Sequence, residues 1–256
     1  MTMLLAPAKL TVTLEVAGVR PDGYHELRAE MLTVDLADEL IVSEPGAGLT
    51  VEAEPWTRAD GLTSGAPNLI AAALTAVDRS AAVELRKRIP VGGGLGGGSA
   101  DAAAVLRWAG CDDPAVAAGL GADVPFCVIG GRALVEGIGE RVTALPFELR
   151  DYLLCLPPFG VNTAQVYAAW DEAPDDTAPN ALAAAALRVE PRLAQWRDAL
   201  GDLTGRDPVL AGSGSTWFVD VTAGHAPEAE GNWLTLGDQR ARLVRAAAVP
   251  SGWAGT

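Results

Sequence analysis

The sequence predicts an α+β fold in two lobes. Segments with strand periodicity and segments with helix periodicity follow one another without the strict alternation that parallel βαβ units require. The chain of 256 residues is long enough for one large or two small domains. The stretch from Ala144 to Asp151, which contains Pro146, is a plausible boundary. The predicted lobes are therefore residues 1–146 and 147–256.

The first lobe contains most of the predicted strands. Residues 8–17 alternate between apolar and polar side chains, which places Lys9 and Thr11 on the polar face of a strand. Arg20 to Gly23 forms a turn, because proline at 21 fixes φ and glycine at 23 accepts positive φ. The other predicted elements of this lobe are strands at 31–34, 39–43 and 83–85, helices at 68–77 and 115–119, and paired strands at 132–136 and 140–143.

The second lobe begins with a predicted strand at 152–156. Helical spacing of apolar residues predicts helices at 163–170 and 192–200, and the alanine-rich segment 181–186 is helical by propensity. The Pro/Asp/Thr-rich stretch 173–179 is predicted to be an exposed loop. Residues 211–216 form a tight glycine turn between two short apolar runs.

Residues 91–99 carry the strongest chemical signal. Six glycines in the seven positions 92–98 are entropically costly unless the backbone itself must approach something closely. Successive bare N–H groups can close round a phosphate, and a following helix points its positive end at the same charge. A phosphate-binding loop is therefore predicted from Gly92, Gly93, Gly94, Leu95, Gly96, Gly97, Gly98 and Ser99.

An amphipathic helix is predicted to follow this loop, with Ser99 as its N-cap. The Ser99 hydroxyl has two further possible roles, as a ligand of phosphate or of Mg²⁺. Lys87 and Arg88 precede the loop, and either a position near the phosphates or one facing solvent is open to them. Asp101 falls in the predicted first helical turn, where a carboxylate is favourable to the helix dipole.

The loop differs from two common nucleotide-binding motifs. It is not a Walker A motif, because Ser99 stands where lysine should follow the last glycine. It contains a GxGxxG match at Gly92, Gly94 and Gly97, but a dinucleotide-binding fold places this motif in its first strand-to-helix turn, and here Asp112 and Asp113 follow too early and lie beside Pro114. A dinucleotide-dependent oxidoreductase is therefore a disfavoured alternative.

Composition limits the partners. The formal net charge of −14 opposes binding to nucleic acid or to an anionic membrane, although local positive groups still allow a small polyanionic ligand. Cys111, Cys127 and Cys155 lack metal-ligand spacing and are expected to be reduced, buried residues. The chain shows neither a signal-peptide pattern nor an apolar run long enough to span a bilayer, so a cytoplasmic protein is expected.

Six segments in a fixed order resemble the GHMP kinases. They are Pro7–Leu10, Arg20–Leu27, the glycine loop, Gly121–Pro125, Glu136–Glu140 and Gly212–Ser215. The resemblance covers most of the chain. The glycine loop is typical of the whole family, whereas the Pro-Asp-Gly-Tyr-His-Glu and Gly-Ala-Asp-Val-Pro segments point to members that act on a cytidine diphosphate conjugate of methylerythritol.

The resemblance implies a two-lobed GHMP kinase fold with the active site in the cleft between the lobes. It implies that the γ-phosphoryl group of ATP, with Mg²⁺, is transferred to the 2-hydroxyl of the methylerythritol part, a step of the non-mevalonate isoprenoid precursor pathway. Lys9 and Asp123 correspond to the catalytic pair. The carboxylate orients the hydroxyl and accepts its proton, and the ammonium stabilises the transferring group.

The resemblance also implies the substrate contacts. Tyr24 would stack on the cytosine and His25 would hydrogen-bond its edge. The turn of Gly212, Ser213 and Gly214 would close the site from the second lobe. Asn68 is expected to contact nucleotide, and the metal ligands stay unassigned.

Two residues of the expected substrate pocket differ from the family or have alternative roles. Thr11 stands where the family usually has asparagine; its hydroxyl is expected to contact the substrate, although threonine lacks the paired donor and acceptor of an amide. Phe159 belongs either to the cytidine pocket or to the core.

Other functions remain open at this point. One is a GHMP kinase that acts on mevalonate, homoserine or a sugar, and another is a related decarboxylase that begins with phosphorylation. A third is a nucleotide-binding module without turnover, which the presence of both Lys9 and Asp123 disfavours.

Overall fold

The computed structural model describes residues 1–57, 68–224, 232–253 and 255. The strands are β1 (Thr2–Val19), β2 (His25–Ser43), β3 (Leu49–Ala53), β4 (Ala82–Lys87), β5 (Arg132–Gly137), β6 (Arg141–Ala144), β7 (Asp151–Leu156), β8 (Val209–Leu210), β9 (Trp217–Asp220), β10 (Trp233–Leu236) and β11 (Gln239–Ala247). The helices are α1 (Leu69–Ala76), α2 (Gly97–Trp108), α3 (Pro114–Leu120), α4 (Val124–Ile129), α5 (Thr163–Glu172), α6 (Ala183–Val189) and α7 (Leu193–Thr204).

The strands form two sheets, and the α+β prediction is confirmed. The first sheet has the order β3-β4-β2-β5-β6, with β1 also paired to β2, and the second has the order β10-β11-β7-β9-β8. Pairing is antiparallel throughout, except that β3 and β4 are parallel. The proposed boundary falls between the last strand of the first sheet and the first strand of the second, while the division into two lobes stays a prediction.

The β1–β2 hairpin carries part of the site. Its predicted turn is confirmed: the Gly23 amide donates to the Arg20 carbonyl at 2.9 Å, and Gly23 has a φ of 85°. The segments 31–34 and 39–43 were predicted as two strands. This prediction was wrong, because both segments lie in the single strand β2. Asp38 interrupts the apolar pattern there, yet it is fully buried because its carboxylate accepts hydrogen bonds from the amides of Arg88 and Ile89.

Helix α2 lies at the centre of the molecule. It contacts β1, α1 and α4, and every residue from Ala100 to Leu106 is buried. The amphipathic helix predicted here was wrong in this respect, since the helix is buried on nearly all sides. Alanine at four of these positions lets neighbouring elements approach its backbone closely. The N-terminus of α2, and the glycine loop before it, are therefore held by the core.

The remaining helix and loop predictions agree with the structure. The predicted helices at 68–77, 115–119, 163–170, 181–186 and 192–200 correspond to α1, α3, α5, α6 and α7. Cys127 and Cys155 are buried and Cys111 is half-buried, and none of the three is in a disulfide. Burial raises the pKa of the Cys127 and Cys155 thiols to about 12, so neither is a reactive thiolate. Among the described helices, none is long and apolar enough to cross a membrane.

Candidate active site

A cavity of about 810 Å³ brings most of the predicted site residues together. Its lining includes Lys9, Thr11, Tyr24, His25, Gly92 to Ser99, Asp123, Gly212 and Ser213. Two predicted residues lie outside the lining. Asn68 caps α1 instead, because its side-chain oxygen accepts from the amide of Ile70 at 2.8 Å. Gly214 belongs to the 211–216 turn but packs against Leu210.

The carbonyl groups of the glycine loop point into the protein. The Gly92 carbonyl accepts from the amides of Val161 and Ser215, both at 3.1 Å, and the Leu95 carbonyl accepts from the Lys9 amide at 3.1 Å. The first amides of α2 have no acceptor within the helix, as in any helix. The loop therefore fixes its acceptors in the core and leaves N–H donors for an anion at the positive end of α2.

Close packing explains why the loop is made of glycine. A Cβ at Gly94 would lie 1.9 Å from the Ala211 carbonyl oxygen, and one at Gly96 would lie 2.7 Å from the Lys9 Cγ. Gly94 and Gly96 also have φ values of 77° and 66°, which residues other than glycine rarely adopt. The absence of side chains therefore lets the loop pack directly against the 211–216 turn and the Lys9 side chain.

Helix α2 begins earlier than predicted. Its N-cap is Gly96 in the left-handed conformation, and Ser99 is the third helical residue, so the prediction of Ser99 as N-cap was wrong. The left-handed Gly96 turns the chain into the helix three residues before Ser99, the side chain predicted to cap it. The Ser99 hydroxyl lines the cavity instead.

Of the two positions considered for Lys87 from sequence, the solvent-facing one was wrong, whereas a position near the phosphates stays a prediction, because Lys87 lines the cavity beside the glycine loop. It is buried, and its Nζ lies 2.5 Å from Asp38 Oδ2 and 2.7 Å from Asp101 Oδ2. Burial lowers the Lys87 pKa, but the two carboxylates outweigh this effect and the pKa is raised. Arg88 is half-exposed and pairs with Glu39 at 2.7 Å.

Asp101 is a buried member of this cluster, and its prediction in the first helical turn was wrong, because α2 begins at Gly97. Its Oδ1 has no hydrogen-bond partner among the described residues. Burial raises its pKa to about 7, although Lys87 acts in the opposite direction.

Lys9 and Asp123 form an ion pair on the cavity wall. Lys9 Nζ lies 3.5 Å from Asp123 Oδ2 and donates to Thr11 Oγ1 at 3.0 Å. The alternation of β1 predicts Lys9 and Thr11 on a polar face, but both are buried because the glycine loop covers that face. Asp123 stands at the N-cap of α4 without making a side-chain cap hydrogen bond, and its side chain is 32% exposed. Its carboxylate is therefore accessible from the cavity.

His25 is held by residues that sequence analysis missed. Its Nε2 lies 2.7 Å from Asp171 Oδ1, and its ring centroid lies 4.6 Å from that of Tyr167 and 5.7 Å from that of Trp170. The three partners share one face of α5 at i, i+3 and i+4 spacing, which was the available signal. Tyr24 is 61% exposed at the same end of the cavity.

Asn180 braces the second glycine turn, and it too was missed. Its buried Nδ2 donates to the carbonyls of Leu210 and Gly212 at 2.7 and 2.6 Å. Ser213 Oγ lies 2.8 Å from Thr163 Oγ1. A Cβ at Gly212 would lie 3.3 Å from Lys9 Nζ, so this turn reaches the catalytic candidates.

Of the two alternatives for Phe159, the structure supports the core, because Phe159 is buried within the main hydrophobic cluster. The Arg192 guanidinium lies 4.2 Å from the centre of its ring.

Comparisons with known proteins identify the family of the chain. Residues 64–131 match the family model of the GHMP kinases N-terminal domain. The 4-diphosphocytidyl-2-C-methyl-D-erythritol kinase of Pelotomaculum thermopropionicum is 38% identical over 250 residues, which covers 84% of this chain and 87% of that protein. The enzyme of the same name from Carboxydothermus hydrogenoformans is 34% identical over 251 residues, with the same coverage. The Acetivibrio thermocellus enzyme of that name is 40% identical over 177 residues, which is 62% of its length.

Solved structures show the same relationship. The crystal structure of a 4-(cytidine 5'-diphospho)-2C-methyl-D-erythritol kinase superposes with a TM-score of 0.69 at 35% identity, covering 87% of this chain and 91% of the other. A mevalonate kinase at 12% identity, with a TM-score of 0.54, shares the fold alone. The chain therefore belongs to the GHMP kinases and, within them, to the 4-diphosphocytidyl-2-C-methyl-D-erythritol kinases.

Proposed function

We propose that this protein transfers the γ-phosphoryl group of ATP to the 2-hydroxyl of 4-diphosphocytidyl-2-C-methyl-D-erythritol, in the non-mevalonate route to isoprenoid precursors. The observation that carries the proposal is the position of the Lys9–Asp123 pair. It lies on the wall of one cavity that is also lined by the glycine loop and by His25. A phosphate donor and a base-bearing acceptor can thus both be bound next to this pair.

Asp123 and Lys9 have complementary tasks. The Asp123 carboxylate hydrogen-bonds the acceptor hydroxyl, orients it and takes its proton. The Lys9 ammonium is anchored by Thr11 and stabilises the negative charge of the transferring group. Because phosphoryl transfer depends mainly on position and charge, the rigid burial of Lys9 supports this assignment.

The glycine loop and α2 suit the ATP phosphates. ATP supplies the phosphoryl group, and the amides of Gly97, Gly98 and Ser99 would donate to its oxygens. Mg²⁺ in such sites keeps several waters and is held by few protein groups together with the phosphates, and Ser99 at the start of α2 is a side chain that could contact it. Within the described residues, no group of three or more acidic, histidine or cysteine side chains could hold a metal by itself.

The other end of the cavity suits the cytidine. The exposed Tyr24 ring offers a surface on which a flat base can stack, and His25 presents a ring already fixed by α5. The Thr11 hydroxyl accepts a hydrogen bond from Lys9 and so supports the catalytic lysine, and its own O–H can donate to the substrate where the family usually has an asparagine amide.

The test is ADP release from MgATP by the purified protein, with and without the proposed acceptor. Release that depends on 4-diphosphocytidyl-2-C-methyl-D-erythritol is expected. Mevalonate, homoserine and a sugar serve as control acceptors and should leave release at the background rate. Release with a control acceptor would indicate another GHMP kinase, and ATP binding without release would indicate a binding module.

A further inference from the structure

Asp171 contacts His25 from the opposite side of the cavity. His25 begins β2 in the first sheet, whereas Asp171 lies near the end of α5, 146 residues later. The 2.7 Å contact between Nε2 and Oδ1 is a short hydrogen bond. The His25 side chain is only 10% exposed, whereas the Asp171 side chain is 48% exposed.

Two aromatic rings restrict the His25 ring as well. Tyr167 lies against its face with an interplanar angle of 34°, and Trp170 meets it edge-on at 84°. All three partners are on α5, so the orientation of the imidazole is set by a single helix. A ring held on its face, on its edge and at one nitrogen has little freedom to rotate.

We propose that Asp171 is a positioning residue that fixes the tautomer of His25 and makes the base subsite select a ring with an amino group over one with a carbonyl oxygen. This inference rests on the proposed function, since it concerns the residue assigned there to the base. A carboxylate only accepts hydrogen bonds, so Nε2 carries the proton in this contact. In the neutral ring Nδ1 is then an acceptor. Among the described residues no hydrogen bond to Nδ1 is formed.

An acceptor at Nδ1 discriminates between the two pyrimidines. The 4-amino group of cytosine can donate to it, whereas the O4 of uracil would place two acceptors against each other. A buried site built for one hydrogen-bond polarity rejects the ligand of opposite polarity because its polar groups are left unpaired. Asp171 therefore acts on base selection without touching the base.

The test compares CDP and UDP binding by calorimetry in the presence of a saturating non-hydrolysable ATP analogue. The wild-type protein is expected to bind CDP at least about tenfold more tightly than UDP. Asp171→Ala should reduce this ratio about tenfold, and Asp171→Asn, which keeps an acceptor oxygen, should retain most of it. Glu172→Ala is the matched control, since it removes an exposed carboxylate next in the same helix and should leave the ratio within about twofold.

A purely structural role of Asp171 would give a different result. It would weaken CDP and UDP binding equally, which leaves the ratio of the two affinities unchanged. That result would overturn the proposal. An Asp171→Asn variant as impaired as Asp171→Ala would also overturn it. Nitrogen-15 NMR provides the second readout. The chain has two histidines, so His25→Gln assigns the signal, which is expected to show Nε2 protonated and Nδ1 not. A neutral ring in the opposite tautomer, with the proton on Nδ1 and none on Nε2, would contradict the proposal.

The binding ratio does not require turnover. Failure of the proposed function would appear as absent acceptor-dependent ADP release, whereas failure of this inference would appear as an Asp171-independent ratio in a protein that is otherwise active.

Discussion

At the residue scale, two buried lysines lie beneath the glycine loop and differ in what surrounds them. Lys9 packs against Gly96 and pairs with Asp123, whose carboxylate is partly exposed in the cavity. Lys87 packs against Gly97 and pairs with two carboxylates that are fully enclosed. A buried charge persists only where it is paired. The first pair is accessible to substrate, whereas the second supports the start of α2.

Replacing Asp123 should separate chemistry from ATP binding. In Asp123→Ala we expect phosphoryl transfer to fall by about 10²–10⁴-fold, because the hydroxyl loses its orienting group and base. ATP-analogue affinity should change by less than about threefold, since the glycine cradle is untouched. Acceptor-dependent ADP release and an analogue titration measure the two effects.

Asp113→Ala is the matched control for this change, because Asp113 caps α3 from an exposed position. It should lose about 1 kcal/mol of stability and keep its turnover. Full turnover in Asp123→Ala would refute the assigned mechanism.

The buried Asp101 predicts a pH dependence of stability. Its folded pKa of about 7 lies above the ordinary value, so the folded state holds a proton between about pH 4 and 7 that the unfolded state has lost. The free energy of unfolding therefore falls as pH rises through this window, by at most about 1.4 kcal/mol per pH unit for one proton. Above the folded pKa the contribution is gone.

Asp101→Asn should remove this contribution. The variant is expected to gain stability relative to wild type as pH rises from 5 to 7, measured by urea unfolding at each pH. Asp202→Asn changes an exposed carboxyl and should follow the wild-type curve. If the difference in the free energy of unfolding between Asp101→Asn and wild type does not vary between pH 5 and 7, Asp101 is ionised throughout this range.

At the element scale, the two glycine-containing loops are built against each other. A Cβ at Gly94 would overlap the Ala211 carbonyl, and the Thr216 amide donates to the Gly93 carbonyl at 3.2 Å. The conformation of the glycine loop thus depends on the 211–216 turn that follows β8. Asn180 in turn holds the carbonyls of that turn.

Gly94→Ala tests this contact. We expect a loss of several kcal/mol of stability and weaker ATP-analogue binding, because the methyl group must displace backbone and the φ of 77° is strained. Chemical denaturation and an analogue titration report both effects. Gly119→Ala is the control: Gly119 lies in α3 with nothing within 4 Å of a Cβ, so alanine should stabilise by about 0.5–1 kcal/mol. Equal stabilities of the two variants would contradict the argument.

The elements also show how far sequence reasoning reaches. Glycine density and helical spacing are local signals. They marked the glycine loop and correctly predicted α1, α3, α5 and α7, whereas phosphate binding by the loop stays a prediction. Lys9 was predicted on a polar face of β1, and β2 was predicted as two strands separated near Asp38. Both predictions were wrong, because Lys9 and Asp38 are buried together with oppositely charged partners from distant parts of the chain. Asp171 was missed for the same reason, since its importance arises only when α5 meets His25 across the cavity.

At the scale of the whole molecule, the two sheets share one hydrophobic core. The main buried cluster includes Leu14 and Leu85 from the first sheet and Leu153 and Leu243 from the second. Backbone pairing also joins the two halves, through a bridge between Leu14 and Asn180 and another between Val34 and Ala248. The cavity therefore lies along a seam whose two sides cannot lose their packing independently.

This shared core predicts a single cooperative unfolding transition, and Asn180→Ala should shift it as a whole. The substitution leaves two buried carbonyls and the Leu182 amide without their partner, which costs about 2–5 kcal/mol. Differential scanning calorimetry should show one peak at a lower temperature, with the calorimetric enthalpy equal to the van't Hoff enthalpy. Asn162→Ala removes only the cap of α5 and should cost about 1 kcal/mol. Two resolved peaks, of which Asn180→Ala moves only one, would mean that the lobes fold separately and that the seam merely brings them together.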